Sequence, residues 1–137
     1  MRLMEVVHLR VKDVDFGYGQ IVVRNANGAK DRVVPLPKAA TEPLRAHLVR
    51  VRALFDEDRR CGLPGVHLPD ALARKYPHAP TEWPWQYVFP SGRVSFDPRS
   101  RVARRHHIHE NGLQKAVKSA GVAAGITKRV NCHSLRH

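Results

Sequence analysis

Apolar side chains fall into short helical stripes and β-branched runs, and their order along the chain predicts its elements. Leu3, Val6 and Val7, with Met4, make a helical stripe within Met1–Leu9, with Arg2, Glu5 and His8 off it. Gln20–Arg24 (QIVVR) and Arg32–Leu36 (RVVPL) are β-branched runs on either side of Asn25, Ala26, Asn27 and Gly28. The Asn-Gly pair suits the positive φ of a tight turn, so the segment predicts a β-hairpin. Pro35 cannot donate to a ladder, which confines the second strand to an edge. From Thr41 to Arg60, Leu44, Leu48, Val51 and Phe55 recur at helical spacing, with Thr41 as N-cap and Gly62 past the end. The opposite face carries Arg45, Arg52, Asp56 and Arg59, a solvated surface with an Arg52–Asp56 pair at i,i+4.

Residues 61–105 break the periodicity. They hold a short helical stretch, Asp70–Lys75, and one strand-like run, Gln86–Phe89. So long an irregular stretch inside a domain is either functional or disordered, and Trp83, Trp85, Tyr87, Phe89 and Phe96 argue against disorder. A further helix is expected over Glu110–Ala120, with Leu113, Ala116, Val117 and Ala120 on one face and Gly121 as its stop. The resulting fold class is α+β, a single domain of helices around a small antiparallel sheet.

Composition narrows the class. The 42% hydrophobic content is that of a globular protein. Neither end reads as a secretory signal, and no run approaches the roughly 18 apolar residues of a membrane span, so the chain is read as soluble and cytoplasmic, with no membrane partner. Cys61 and Cys132 make no ligand or disulfide pattern. The charge changes the picture more: 24 Lys and Arg against 12 Asp and Glu give +12, with nine histidines besides. A surface of that sign attracts polyanions, and the preference for arginine, which grips phosphate bidentately and stacks on bases, points to nucleic acid. The plainer reading is a basic protein that is merely soluble.

The closing residues NCHSLRH place His133 and Arg136 at i and i+3, on one side of a starting helix. Together they can hold one phosphate, the arginine clamping oxygens while the imidazole moves a proton near neutral pH. Alone, such a motif is weak. It is accompanied by the opening MRLMEVVHLRVKDVDF and the hairpin segment NANGAKDRVVPLP, and across this whole length the chain resembles a tyrosine recombinase of the phage-integrase superfamily. The middle segment, GVHLPDALARKYPHAPTEWPWQYVFPSGRVSFDPRSRVARRHH, resembles the insertion and flank particular to integron integrases.

The resemblance implies a mainly helical catalytic domain with a small sheet, of which this chain would be a piece truncated at both ends. It implies that Arg2 is the first catalytic arginine, followed by Glu5 in an arginine-x-x-glutamate pattern, and that His133 and Arg136 are the histidine and second arginine. The implied reaction needs no metal or other cofactor: a tyrosine attacks a DNA phosphate, and a 5′-hydroxyl of another strand later resolves the phosphotyrosyl link. The family's hairpin lysine falls on Asn27, whose amide cannot protonate a leaving oxygen. Lys30 is the remaining candidate, read either as a substitute or as a solvated lysine. Tyr18, Tyr76 and Tyr87 all lie upstream of the nucleophile's place, which would follow His137. The chain is therefore expected to bind DNA without cleaving it, while the whole parent recombines gene cassettes as a tetramer on DNA.

Within the insertion, Arg93, Arg99, Arg101, Arg104 and Arg105 are opposed only by Asp97, with flat side chains nearby. Arginine beside aromatic platforms is the pattern of single-strand and flipped-base recognition. The resemblance assigns the gripping of protruding bases in a folded single-stranded site to Trp85, Pro98, His106 and His107, with Arg104 and Arg105 as further DNA contacts. For the tryptophans, core packing is the equal alternative. Two other classes stay open: a non-catalytic nucleic-acid-binding module, and a metalloenzyme built on His106, His107, His109 and Glu110. The last four lack a zinc-ligand spacing and sit in basic surroundings, so no metal is expected.

Overall fold

Isoleucine and valine set the centre of the sheet. In a computed structural model that describes residues 1–24, 30–98 and 100–136, with main chain alone at Arg136, β2 (Gln20–Val23) buries Ile21 and Val23. It runs antiparallel between β1 (Val14–Asp15) and β3 (Arg32–Pro35), with Ile21 opposite both Val14 and Val34. Cross-strand partners share a face, so these side chains turn together onto the cluster of Leu9, Ile21, Leu36 and Val88. The expected hairpin is present, and β3, which carries Pro35, is an edge strand. Its turn, Asn25–Gly28, and the lysine position Asn27 lie outside the described residues, as do Arg99 and His137. β1 is too short to show a period of two.

α1 covers Leu3–Val7. α2 covers Lys38–Arg60, starting a turn ahead of the expected Thr41. Thr41 is no cap: its hydroxyl donates back to the Pro37 carbonyl at 3.3 Å from within the helix. Leu44 and Leu48 meet the central cluster, and Arg52 pairs with Asp56 at 3.3 Å. The far end is as expected. Gly62 takes φ 70°, its N–H bonds the Arg59 carbonyl, and that of Leu63 bonds the Asp58 carbonyl, which closes the helix with a left-handed residue.

Residues 61–105 are ordered by a second set of buried side chains, Val66, Leu68, Ala79 and Tyr87, with Val51 of α2 also buried. α3 (Asp70–Lys75) stands where expected, followed by 3-10 turns at Ala79–Thr81 and Trp83–Trp85. Gly65 crosses so close to Pro80 that a Cβ would lie 1.9 Å from its carbonyl oxygen. Gln86–Phe89 does not form the expected strand. The Val88 amide bonds the Leu9 carbonyl and the Val11 amide that of Gln86, both at 2.9 Å, while Ile108 bonds Phe89 at 2.8 Å. The segment thus changes neighbours too soon to build a ladder with either, leaving isolated bridges. The unexpected β4 (Ser95–Asp97) and β5 (Val102–Arg104) form an antiparallel pair. Ser95 and Phe96 are exposed, so no alternation marks them.

α4 (Glu110–Ala123) overruns its expected stop. Gly121 lies inside it, buried, where a Cβ would come within 3.0 Å of Val130. The true terminator is Gly125, with φ 72°. α1 packs against α4. No helix among the described residues is long and apolar enough to cross a membrane.

Candidate nucleic-acid interface

Two ends of the sequence meet at one cleft. Arg2 precedes α1, and its amide donates to Glu5 Oε2 at 2.6 Å. The Glu5 carboxylate also accepts both Arg32 guanidinium nitrogens, at 2.9 and 2.6 Å, which fixes the start of α1 to β3. The Arg32 hydrogen bonds, aided by the Arg2 amide and opposed by burial, hold the Glu5 carboxyl down at about 2. After α4 the chain returns so that Val130 covers Gly121. Asn131 then starts a new turn: its Oδ1 accepts the Ser134 amide at 2.8 Å, and the Ser134 hydroxyl accepts the Asn131 amide at 3.4 Å. His133 rides exposed on that capped turn, one residue before the 3-10 segment Ser134–Arg136.

The cleft has a volume of about 440 Å³. Leu3, next to Arg2, lines it together with Gln114 and Lys118 of α4 and with Arg129, Val130, Asn131, Cys132 and His133. No carboxylate is among its lining residues. Lys30 is exposed two residues ahead of β3 and does not line it.

None of the insertion residues expected at the site lines this cleft. Trp85 is half-buried, with Lys12 Nζ 4.8 Å from its ring centre and the Tyr76 ring at 5.4 Å. Pro98 is exposed at the turn between β4 and β5. His107 stands edge-on to His8 at 4.6 Å and to Tyr87 at 5.2 Å. Burial, then the neighbouring His107, His67 and Arg104, pushes His106 below its usual value, and burial with His107 and Arg10 does the same to His8. Arg104 and Arg105, expected as DNA contacts, are turned inward. Arg105 forks onto Asp58 at 2.6 and 2.9 Å and donates to the Ser91 carbonyl, and Arg104 donates to the Gly65 carbonyl. His109 accepts the Asn111 amide at the head of α4.

Phage integrase family sequences match residues 1–137. The chain belongs to that family. Among relatives of this integrase-family chain, an "Integrase/recombinase" of Escherichia coli and another of Pseudomonas aeruginosa are each 50% identical over all 137 residues. "Tyrosine recombinase XerA" of Thermococcus kodakarensis is 45% identical over 64 residues, 44% of the chain and 23% of the relative. A crystal structure of XerA recombinase superposes with a TM-score of 0.59 at 24% identity, over 99% of this chain and 36% of that one, which shows the shared fold. The chain spans 41% of the length of the first two relatives.

Sequence reasoning passed over Lys118, Arg129 and Asn131 of this integrase-family chain. The cap was readable from Asn131 and Ser134 at i and i+3. The two cations were not, because only the Gly121–Val130 approach brings their segments together.

Proposed function

We propose that this chain is the catalytic-domain portion of a site-specific DNA recombinase of the integron-integrase kind, and that its cleft receives the DNA phosphate at which strands are exchanged. The observation that carries the reading is that the start of α1 and His133, far apart in sequence, border one basic cleft. In the reaction that the resemblance implies, Arg2 and Arg136 neutralise the charge that builds on the phosphoryl oxygens, and the His133 imidazole moves a proton. A tyrosine oxygen forms the bond to phosphorus as the bond to the 5′-oxygen breaks, and that oxygen leaves with a proton. A 5′-hydroxyl then attacks the phosphotyrosyl link and returns the tyrosine. Neither Tyr18, Tyr76 nor Tyr87 lines the cleft, and the nucleophile is assigned to the longer protein. Lys30, at the mouth of the hairpin, is assigned a phosphate contact. In the longer protein, protomers assemble on DNA as a tetramer.

The integron assignment is supported by the half-buried rings of Trp85, His106 and His107 and by the exposed Pro98 within the insertion. Protruding bases stack there, while Arg104 and Arg105 brace the segment from beneath. Fluorescence anisotropy of this chain with a DNA hairpin carrying extrahelical bases, against the same hairpin without them, tests this. Stacking contributes about 1–3 kcal/mol per base, so affinity should rise roughly 5- to 150-fold. Equal affinity would leave a recombinase without the integron specialisation. In the longer protein, Arg136→Ala should abolish covalent attachment to nicked site DNA while binding persists.

A further inference from the structure

Gln114, Lys118 and Gly121 recur at i, i+4 and i+7, so they form one face of α4. Gly121 has no side chain where the returning chain crosses, and Val130 fills that space. The approach places Arg129 and Lys118 on the walls of one cleft, together with His133 and Asn131. Both cations are exposed, neither is ion-paired with a described residue, and no acidic side chain lines the space between them. Other cations of the chain have a carboxylate partner, as Arg32 has Glu5 and Arg105 has Asp58. Two unbalanced cations in a concave space repel each other and lower the local cost of an anion. At about 440 Å³ the cleft falls within the roughly 300–1,000 Å³ of small-ligand sites and exceeds what one phosphate fills, which leaves room for a stretch of sugar-phosphate backbone.

We propose that Lys118 and Arg129 form a second phosphate seat, which holds the DNA backbone phosphate adjoining the one that His133 serves and so sets the register of the strand in the cleft. The inference rests on the DNA reading above. The two cations act as positioning residues: they hold charge in place without touching the reacting atoms, and Gly121 is the device that brings them together.

The salt dependence of binding reads this directly. Anisotropy titrations of the 137-residue chain with a short DNA duplex, between about 50 and 200 mM salt, give a slope of log K on log salt that falls by about 0.9 for each phosphate contact removed. Lys118→Ala and Arg129→Ala should each flatten the slope by about 0.9, and the double variant by about 1.8. Lys118→Arg and Arg129→Lys, which keep the charge, should retain the wild-type slope. Wild-type binding with slopes unchanged in both alanine variants would overturn the seat and leave the DNA reading standing. Flattening in the charge-conserving variants as well would also overturn it, by showing a structural rather than an electrostatic role. A wild-type chain that does not bind DNA would overturn the functional reading, and the seat with it.

Discussion

Single side chains here divide between those that hold the fold and those left to face a ligand, and the sequence does not announce which is which. Arg104 and Arg105 look identical to Arg101 in a list of insertion arginines, yet only the first two are drawn inward. The difference lies in Asp58 and the Gly65 carbonyl, both distant in sequence, so no local pattern could have revealed it. Asp58 and Arg105 side chains are 14% and 15% exposed. Asp58→Ala leaves a half-buried guanidinium without its counter-charge and should cost about 3 kcal/mol in a urea unfolding curve. Arg105→Ala should likewise lower stability but leave the salt slope of DNA binding unchanged, and a flatter slope would return Arg105 to the DNA surface. Glu5 gives a prediction in acid. Its folded value of about 2 lies below the ordinary carboxylate value of 4.5, so the folded state binds fewer protons between these limits. Its contribution is full above about 4.5 and is lost as pH falls through about 2. Thermal melts should show Glu5→Gln less stable than wild type at neutral pH, with the gap closing towards pH 2.

At the scale of elements, burial decides what was legible. α2 lays Leu44, Leu48 and Val51 on the interior while α4 buries only Gly121, yet the middles of both follow from spacing alone. Their ends were misplaced where backbone chemistry overrides the pattern, at Pro37 before α2 and at Gly121 within α4. A glycine in a helix suggests a stop until the tertiary neighbour is known. Gly121→Val should therefore act on the returning chain: it pushes Val130 away, a cost of about 1–3 kcal/mol for overpacking, and should weaken DNA binding through displaced Arg129. Gly65→Ala meets the Pro80 backbone and should reach the upper part of that range in a thermal melt. β4 and β5 stayed hidden because neither shows an alternation of buried and exposed positions. Their turn holds Arg101 at φ 55°, a left-handed conformation that costs a side-chain-bearing residue about 1 kcal/mol. Arg101→Gly should raise the melting temperature, and a fall would show that the guanidinium holds the turn.

Over the whole molecule, the sequence carried the family and the α+β class, because both rest on motifs and periods spread through the chain. The cleft itself is tertiary, and only its His133 wall could be read in advance. The histidines around His107 add a dependence on pH that belongs to the molecule as a unit. His8 and His106 both lie below the usual 6.5, so the unfolded chain binds more protons just under that value. Stability is then full above about pH 6.5 and falls as pH drops through the window beneath it. Melting temperatures taken down to about pH 5 should fall less steeply for His106→Asn than for wild type. The segment Gln86–Ser91 joins the two halves of the chain in another sense. It bonds the Leu9–Val11 region on one side, while the Ser91 amide reaches the His106 carbonyl and Ile108 reaches Phe89 on the other. The Arg105–Asp58 pair and the packing of α1 on α4 span the same divide. A gene split at the exposed Gly92–Arg93 bend should therefore yield two polypeptides that co-purify and reassemble, since the Ser91–His106 and Ile108–Phe89 bonds, the Arg105–Asp58 pair and the α1–α4 packing all cross the cut.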